Sequence, residues 1–180
     1  MKKKWFFSTE DNILVLHTLI YKSFVNKQRL YCGMIDFRRA FDRIYRNGLW
    51  YKTVQFGMNG KLLRTIRDMY HQIKCCVRGK QGVTDFFLTL EGLQQGTILS
   101  PFLFALYVNN LPALKQNRNT EGEVKIGDRN IMLLIYTDDL GIVSKTPEGL
   151  RESLDILHYY CNRWKLTVNY TKSQVLVCKQ

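Results

Sequence analysis

The sequence predicts an α+β fold in which helices back a largely antiparallel sheet, and three observations carry that expectation. Helix-like and strand-like patterns follow one another irregularly, with strands often adjacent along the chain. The short apolar run "YCGMIDF" (Tyr31–Phe37) reads as a buried strand, and "LLIYTDDLGIV" (Leu133–Val143) as a hairpin of two apolar arms. Leu150, Leu154, Leu157, Cys161 and Trp164 recur at helical spacing, the stripe of a helix packed on a sheet. With 180 residues and no internal repeat or evident linker, a single domain over residues 1–180 is expected.

Taken in order, Ser8-Thr9-Glu10-Asp11 is a helix start, with Ile13, Leu16, Ile20 and Phe24 expected on one face. Tyr31–Phe37 follows as a strand ending on Asp36. Helical patterns come directly after it, with breaks expected at Gly48 and around Gly57-Met58-Asn59-Gly60, and run to about Tyr70. "IKCCVRGKQGVTDFFLTL" reads as two strands around a glycine-containing loop, Arg78 to Gly82. The apolar, aromatic-rich stretch from about Ile98 to Leu114 predicts a buried helix. "NRNTEGEVKIGDRN" is a polar loop with a short strand at Val124–Ile126. Thr146 and Pro147 supply the N-cap and first position of the striped helix. "LTVNYTKSQVLV" closes the chain as strand, turn and strand.

A content of 46% hydrophobic and 13% aromatic residues is globular and excludes a disordered chain. The 27 Lys and Arg against 15 Asp and Glu give a net +12, which favours a polyanionic partner, nucleic acid first. A merely basic soluble surface is the plain alternative. The five cysteines form no C-x-x-C pair and no Cys/His ligand spacing, so a structural zinc site is not expected. Their odd number without a secretory signal points to a reducing, intracellular compartment. "MKKKWFF" is followed at once by polar residues, unlike a leader, and no run of eighteen apolar residues exists to span a membrane. There is no P-loop and no G-x-G-x-x-G after a strand. Ser100 has no nucleophile-elbow context.

Asp138-Asp139 stands out, because it places two like charges side by side at what reads as a hairpin tip. A tight turn normally uses Asn-Gly or Asp-Gly, since both central residues need positive φ. Projecting carboxylates suit a hard cation, which takes oxygen ligands; Mg²⁺ commonly sits between one or two carboxylates and substrate phosphates. A two-ion phosphoryl-transfer site needs a further carboxylate, and Asp36, polar at the end of an apolar strand, is the natural donor. The plain alternatives are a helix N-cap for Asp36 and a solvated turn for the pair.

At this point the sequence resembles the reverse transcriptases of non-LTR retrotransposons, the jockey-like and related elements. "GMIDFRRAFDRI" (Gly33–Ile44), "GLQQGTILSPFLFALYVNNL" (Gly92–Leu111) and "YTDD" (Tyr136–Asp139) occur in the order of motifs A, B and C. "WKLTVNYTKSQVLV" (Trp164–Val177) resembles motif D, and "STEDNILVLHTLI" the stretch before motif A. The resemblance covers about Ser8 to Cys178.

It implies a polymerase palm with partial fingers, the upstream fingers and downstream thumb lying outside the 180 residues. It implies that Asp36, Asp138 and Asp139 are catalytic carboxylates holding two Mg²⁺ ions, with Mn²⁺ as an alternative, and that Phe37 offers its backbone beside the metal-bound triphosphate. Phe41 matches the aromatic gate against a ribose 2′-hydroxyl; helix-face packing is its plain alternative. Gln95 and Gly96 match the pair along the nascent base pair, and Tyr136 belongs to the same nucleotide and template set. Lys172 matches the motif D lysine, a proton donor to pyrophosphate or else an ordinary turn lysine. Arg38 and Arg39 are phosphate contacts or a solvated helix face. Thr137 stands where most of these elements have Ala, and is small enough for the strand.

The implied activity is RNA-directed DNA polymerisation, with RNA template, DNA primer, dNTPs and other segments of a parent polyprotein as partners, no membrane, and a nuclear place of work. Two other readings stand beside it: a catalytically inactive nucleic-acid-binding remnant, and another two-metal palm enzyme such as a nucleotide cyclase. A cyclase has no template, so motif B and Phe41 argue against it.

Overall fold

The computed structural model describes residues 9–111, 122–127, 129–131, 133–136 and 138–179. The chain divides into two compact units, one of Met1–Arg38 with Asn109–Gln180, the other of Arg39–Val108. The first contains α1 (Thr9–Val25), β1 (Leu30–Asp36), β6 (Val124–Ile126), β7 (Arg129–Ile131), β8 (Leu133–Tyr136), β9 (Asp139–Ser144), α5 (Pro147–Trp164) and β10 (Gln174–Cys178). The second contains α2 (Arg46–Gln55), α3 (Gly60–Met69), the two-residue strands β2 (Lys74–Cys75), β3 (Arg78–Gly79), β4 (Gly82–Val83) and β5 (Phe87–Leu88), and α4 (Leu99–Val108).

The first unit is built on a four-stranded, fully antiparallel sheet of order β10-β1-β9-β8. β1 is central, and helices cover both its faces, which is why "YCGMI" is a continuous apolar run rather than an alternating one. Leu30 and Cys32 point to α1 and form a core with Leu19, Val124 and Val143. On the other face Gly33 lies under α5, where an added Cβ would meet Leu150 Cδ1 at 3.4 Å.

α5 begins where the sequence predicts: the Thr146 hydroxyl accepts from Gly149 N at 3.1 Å and Pro147 opens the helix. Its buried stripe is wider than predicted, because Ser153, Ile156 and Tyr160 join Leu150, Leu157 and Cys161. β6 falls on Val124–Ile126 as predicted.

Two expectations in this unit need correction. The buried face of α1 carries Asn12, Leu19 and Ser23, with Leu16 and Ile20 packed at its edge, whereas Ile13 is 62% exposed. A stripe chosen by hydrophobicity is thus rotated by about one residue from the one that meets the sheet. Asp36 is not a helix N-cap either: Phe37 bridges Val168, turns occupy 38–43, and the next helix starts at Arg46.

In the second unit, Gly48 does not break α2 but lies buried within it, while the predicted break at Gly57–Gly60 separates α2 from α3. The hairpin forms as two short ladders, β2 with β5 and β3 with β4. Between them Val77 and Thr84 stay joined, Val77 N donating to Thr84 Oγ1 at 2.9 Å and Thr84 N to Val77 O at 3.0 Å.

The unit is fastened by the buried Arg46. Its guanidinium donates to Gly92 O (2.8 Å), Thr89 O (2.6 Å), Glu91 O (2.9 Å), Tyr70 O (3.2 Å) and Thr89 Oγ1 (3.3 Å). Five such bonds satisfy a fork that would otherwise be costly to bury. Gly92 has φ +84, and a Cβ there would lie 2.5 Å from Asp42 O, so only glycine fits.

The cysteines of the described residues are free thiols. Burial pushes the Cys32 thiol up to about 12, with help from neighbouring Cys178, and burial alone does the same for Cys161. The thiolate is the nucleophile, so these two are expected to resist alkylation of the folded protein at about pH 8, while exposed Cys76 reacts first. Peptide mass spectrometry after timed iodoacetamide treatment checks this; early labelling of Cys32 would contradict the packing described.

Candidate active site

The site grows out of strand register. β1 and β9 pair so that Asp36 faces Asp139 directly, with Cys32 opposite Val143 on the same face. Alternation along both strands therefore puts the two carboxylates on the α1 side of the sheet, at its end. A cleft of about 340 Å³ opens there, lined by Ile13 and Leu16 of α1, by Met34, Asp36 and Asp139, and by Lys172.

The Asp-Asp hairpin differs from its predicted form. Asp139 is the first residue of β9, paired with Tyr136 across the hairpin and with Asp36 on its other side. Among the described residues Asp138 is a turn residue, whereas Asp139 already belongs to the strand. Thr137 and the Tyr136 side chain lie outside the described residues.

Asp36 is held by the turn that follows α5. Asn169 N donates to Asp36 O at 2.8 Å, Asn169 Nδ2 to Asp36 Oδ2 at 2.8 Å, and Asp36 N to Ser173 Oγ at 3.1 Å. The Thr171 hydroxyl donates to Asn169 Oδ1 at 2.8 Å, which leaves the amide nitrogen to face the carboxylate. Sequence reasoning missed Asn169, Thr171 and Ser173. Their signal was present as an Asn-x-Thr-x-Ser turn between two strands, a pattern that favours side-chain to backbone bonds.

Asp139 keeps much of its surface exposed, yet its pKa is raised above the ordinary carboxylate value. The causes are partial desolvation at the strand end, then the charge of Asp138, then that of Asp36. Among the described residues no three acidic, His or Cys side chains converge as a ready cage for a metal. Mg²⁺ seldom needs one: it is held by one or two carboxylates, with water and substrate phosphates completing the octahedron. Two facing carboxylates whose charges oppose one another, in an open cleft, are a donor set of that kind.

The remaining predicted residues are placed as follows. The Phe37 ring is buried, and its backbone is flanked by Arg38 N donating to Thr167 O at 2.7 Å. Arg38 and Arg39 are exposed in a turn, Arg39 with φ +52, so the helix-face alternative does not apply. In the second unit, the Phe41 ring packs against Phe104 with centroids 5.2 Å apart, and Gln95 Nε2 donates to Asp42 Oδ1 at 2.7 Å. Gly96 has φ +79, with nothing within 4 Å of where a Cβ would sit.

The antiparallel sheet backed by helices is the α+β architecture of a polymerase palm. The family described as reverse transcriptase (RNA-dependent DNA polymerase) matches residues 6–180, and the chain belongs to it. Among curated proteins it is 24% identical over 92% of its length to a probable RNA-directed DNA polymerase from transposon BS of Drosophila melanogaster. It is 22% identical over 81% of its length to the RNA-directed DNA polymerase from mobile element jockey of Drosophila funebris. The transposon TX1 149 kDa protein of Xenopus laevis matches at 23% over 93% of the chain. These relatives agree with the predicted affiliation to non-LTR retrotransposon reverse transcriptases. The chain spans 18%, 16% and 13% of their respective lengths.

Among solved structures, truncated apo telomerase of Candida tropicalis superimposes with TM-score 0.68 at 19% identity, covering 94% of this chain and 35% of that one. Telomerase of Candida albicans, solved in complex with a telomeric RNA fragment, gives 0.71 at 13%, covering 96% and 31%. These likenesses concern the fold.

Two measurements follow from the geometry. Asp139 binds its proton more tightly folded than unfolded, so its contribution to stability is full below the ordinary carboxylate pKa and is lost as pH rises through its raised value. Asp139→Asn is therefore expected to melt above the parent near pH 7, with the gap closing toward about pH 3. Parallel melting curves at every pH would contradict this. For the turn, Asn169→Ala is expected to cost about 1–2 kcal/mol. Asn169→Asp, which turns a donor into an anion facing Asp36, should cost more near neutrality and recover on acidification. Equal denaturant midpoints for the two variants would refute the assigned hydrogen bond.

Proposed function

We propose that this chain is the polymerising palm of an RNA-directed DNA polymerase, transferring nucleotidyl groups from dNTPs to a DNA primer 3′-hydroxyl on an RNA template. The observation that carries this reading is the opposition of Asp36 and Asp139 across β1 and β9, in one cleft with Lys172. Family membership supports the reaction class.

Asp36 and Asp139, with Asp138 beside them, would hold Mg²⁺, or Mn²⁺ in its place. Two such ions, when bound, ease deprotonation of the primer hydroxyl and neutralise charge on the triphosphate. The protein's own part is positioning and proton management. Asn169 and Ser173 fix Asp36, so the carboxylate does not reorganise when substrate arrives. The 3′-hydroxyl gives its proton to solvent water, and as its oxygen bonds to the α-phosphorus, the bond to the bridging oxygen breaks. The Lys172 ammonium then gives its proton to the departing pyrophosphate and regains one from water.

In this reading Phe37 presents its backbone to the triphosphate, and Phe41 excludes the ribose 2′-hydroxyl. Gln95, Gly96 and Tyr136 border the nucleotide and template. The open space over Gly96 supports its part, because a strand can approach that backbone closely.

Primer extension tests the proposal, using the purified chain, an RNA template with annealed DNA primer, dNTPs and Mg²⁺. Extension is expected, and Asp36→Asn or Asp139→Asn should abolish it. Phe41→Ala should admit ribonucleotides more readily. Extension indifferent to the carboxylates would sink the mechanism. Duplex binding without any extension would identify a non-catalytic remnant instead.

A further inference from the structure

The second unit holds a cleft of about 540 Å³ that takes no part in the polymerising site. This volume lies within the usual range of ligand sites. Arg64, Arg67 and His71, at spacings of three and four, form one stripe along α3 and just past its cap, and all three are exposed. Neither arginine side chain has a hydrogen bond, ion pair or ring contact among the described residues. Asp68 is the one acidic residue lining the cleft.

The floor is rigid. Tyr70 is buried, with the Arg46 guanidinium 5.6 Å from its ring centroid, Trp50 at 5.8 Å and Ser100 Oγ 3.2 Å from its hydroxyl. Arg46 spends its donors on backbone carbonyls and belongs to the scaffold. The same cleft is lined by open apolar side chains, Leu88 being 53% and Leu90 81% exposed.

Exposed guanidinium groups in a row, lining one cleft with apolar and aromatic side chains, match a phosphate-sugar strand with its bases turned inward. Arginine suits phosphate through its planar fork, and aromatic or apolar surface receives base faces without regard to sequence. From Arg64 to His71 the stripe runs roughly 10 Å, enough to follow more than one phosphate. We propose that this cleft is a binding site for single-stranded nucleic acid, Arg64 and Arg67 contacting phosphates and the Trp50–Leu90 side receiving bases. The ligand chemistry is shared by RNA and DNA.

Fluorescence anisotropy with labelled oligo-U and oligo-dT of about twelve nucleotides tests it across a salt series. Arg64→Ala with Arg67→Ala is expected to weaken binding about tenfold at low salt, and to flatten the salt dependence by about 1.4 in log–log slope, two phosphate contacts' worth for single strands. Arg78→Ala with Lys80→Ala removes the same charge from the hairpin, outside the cleft, and should change affinity far less. Circular dichroism melting verifies that both double variants are folded. Equal affinity for the two oligomers supports a phosphate and base-face contact; preference for oligo-U adds a 2′-hydroxyl contact to the same site. Equal losses in the two double variants, or no loss in the first, would overturn the proposal. Binding is read without catalysis, so a failure of the polymerase reading leaves this outcome legible.

Discussion

The first unit is organised around a like-charge opposition. Two aspartates directly across an antiparallel pair repel, and such pairs destabilise a sheet. The repulsion is tolerated because β1 is held by β9 from Tyr31 to Asp36 and by β10 from Leu30 to Met34, with helices on both faces. It is tolerated also because Asp36 accepts a hydrogen bond from the Asn169 side-chain amide, which holds its carboxylate in place. A sheet edge or a surface hairpin offers none of this support. The central strand is therefore the place in this unit where opposed negative charges can be accommodated.

The second unit meets a comparable problem with opposite sign. The buried Arg46 guanidinium is accommodated by carbonyls of Tyr70, Thr89, Glu91 and Gly92. Those carbonyls come from the end of α3, the end of the hairpin and the start of the Gly92–Gly96 loop. One side chain thus ties the start of α2 to three segments that are distant from it along the chain. It also fixes Gly92 in the left-handed conformation that its contact with Asp42 demands.

Stability and function pull against each other at the same residues. The pKa of Asp139 is raised by desolvation and by its two acidic neighbours, so the protein carries at neutral pH a charge that its own fold disfavours. In the proposed reading a bound cation would offset that charge, coupling metal affinity to the stability of the sheet.

Much of this was legible in the sequence. The apolar run into Asp36, the Thr146-Pro147 cap, the Val124–Ile126 strand and the α5 stripe are local patterns, and local patterns follow from propensity and periodicity. The aspartates themselves could be picked out because a carboxylate at the end of a buried strand has no packing reason to be there. Only the tertiary structure decided which residue stands at the hairpin tip, because register is set by pairing with β1 as well as by the turn. Only it decided that Asn169, 133 residues from Asp36, is its hydrogen-bond partner, and that Ile13 of α1 lines the cleft rather than the core. Contacts between distant segments depend on how elements dock, and docking is a property of the assembled surfaces that no single stretch of sequence contains.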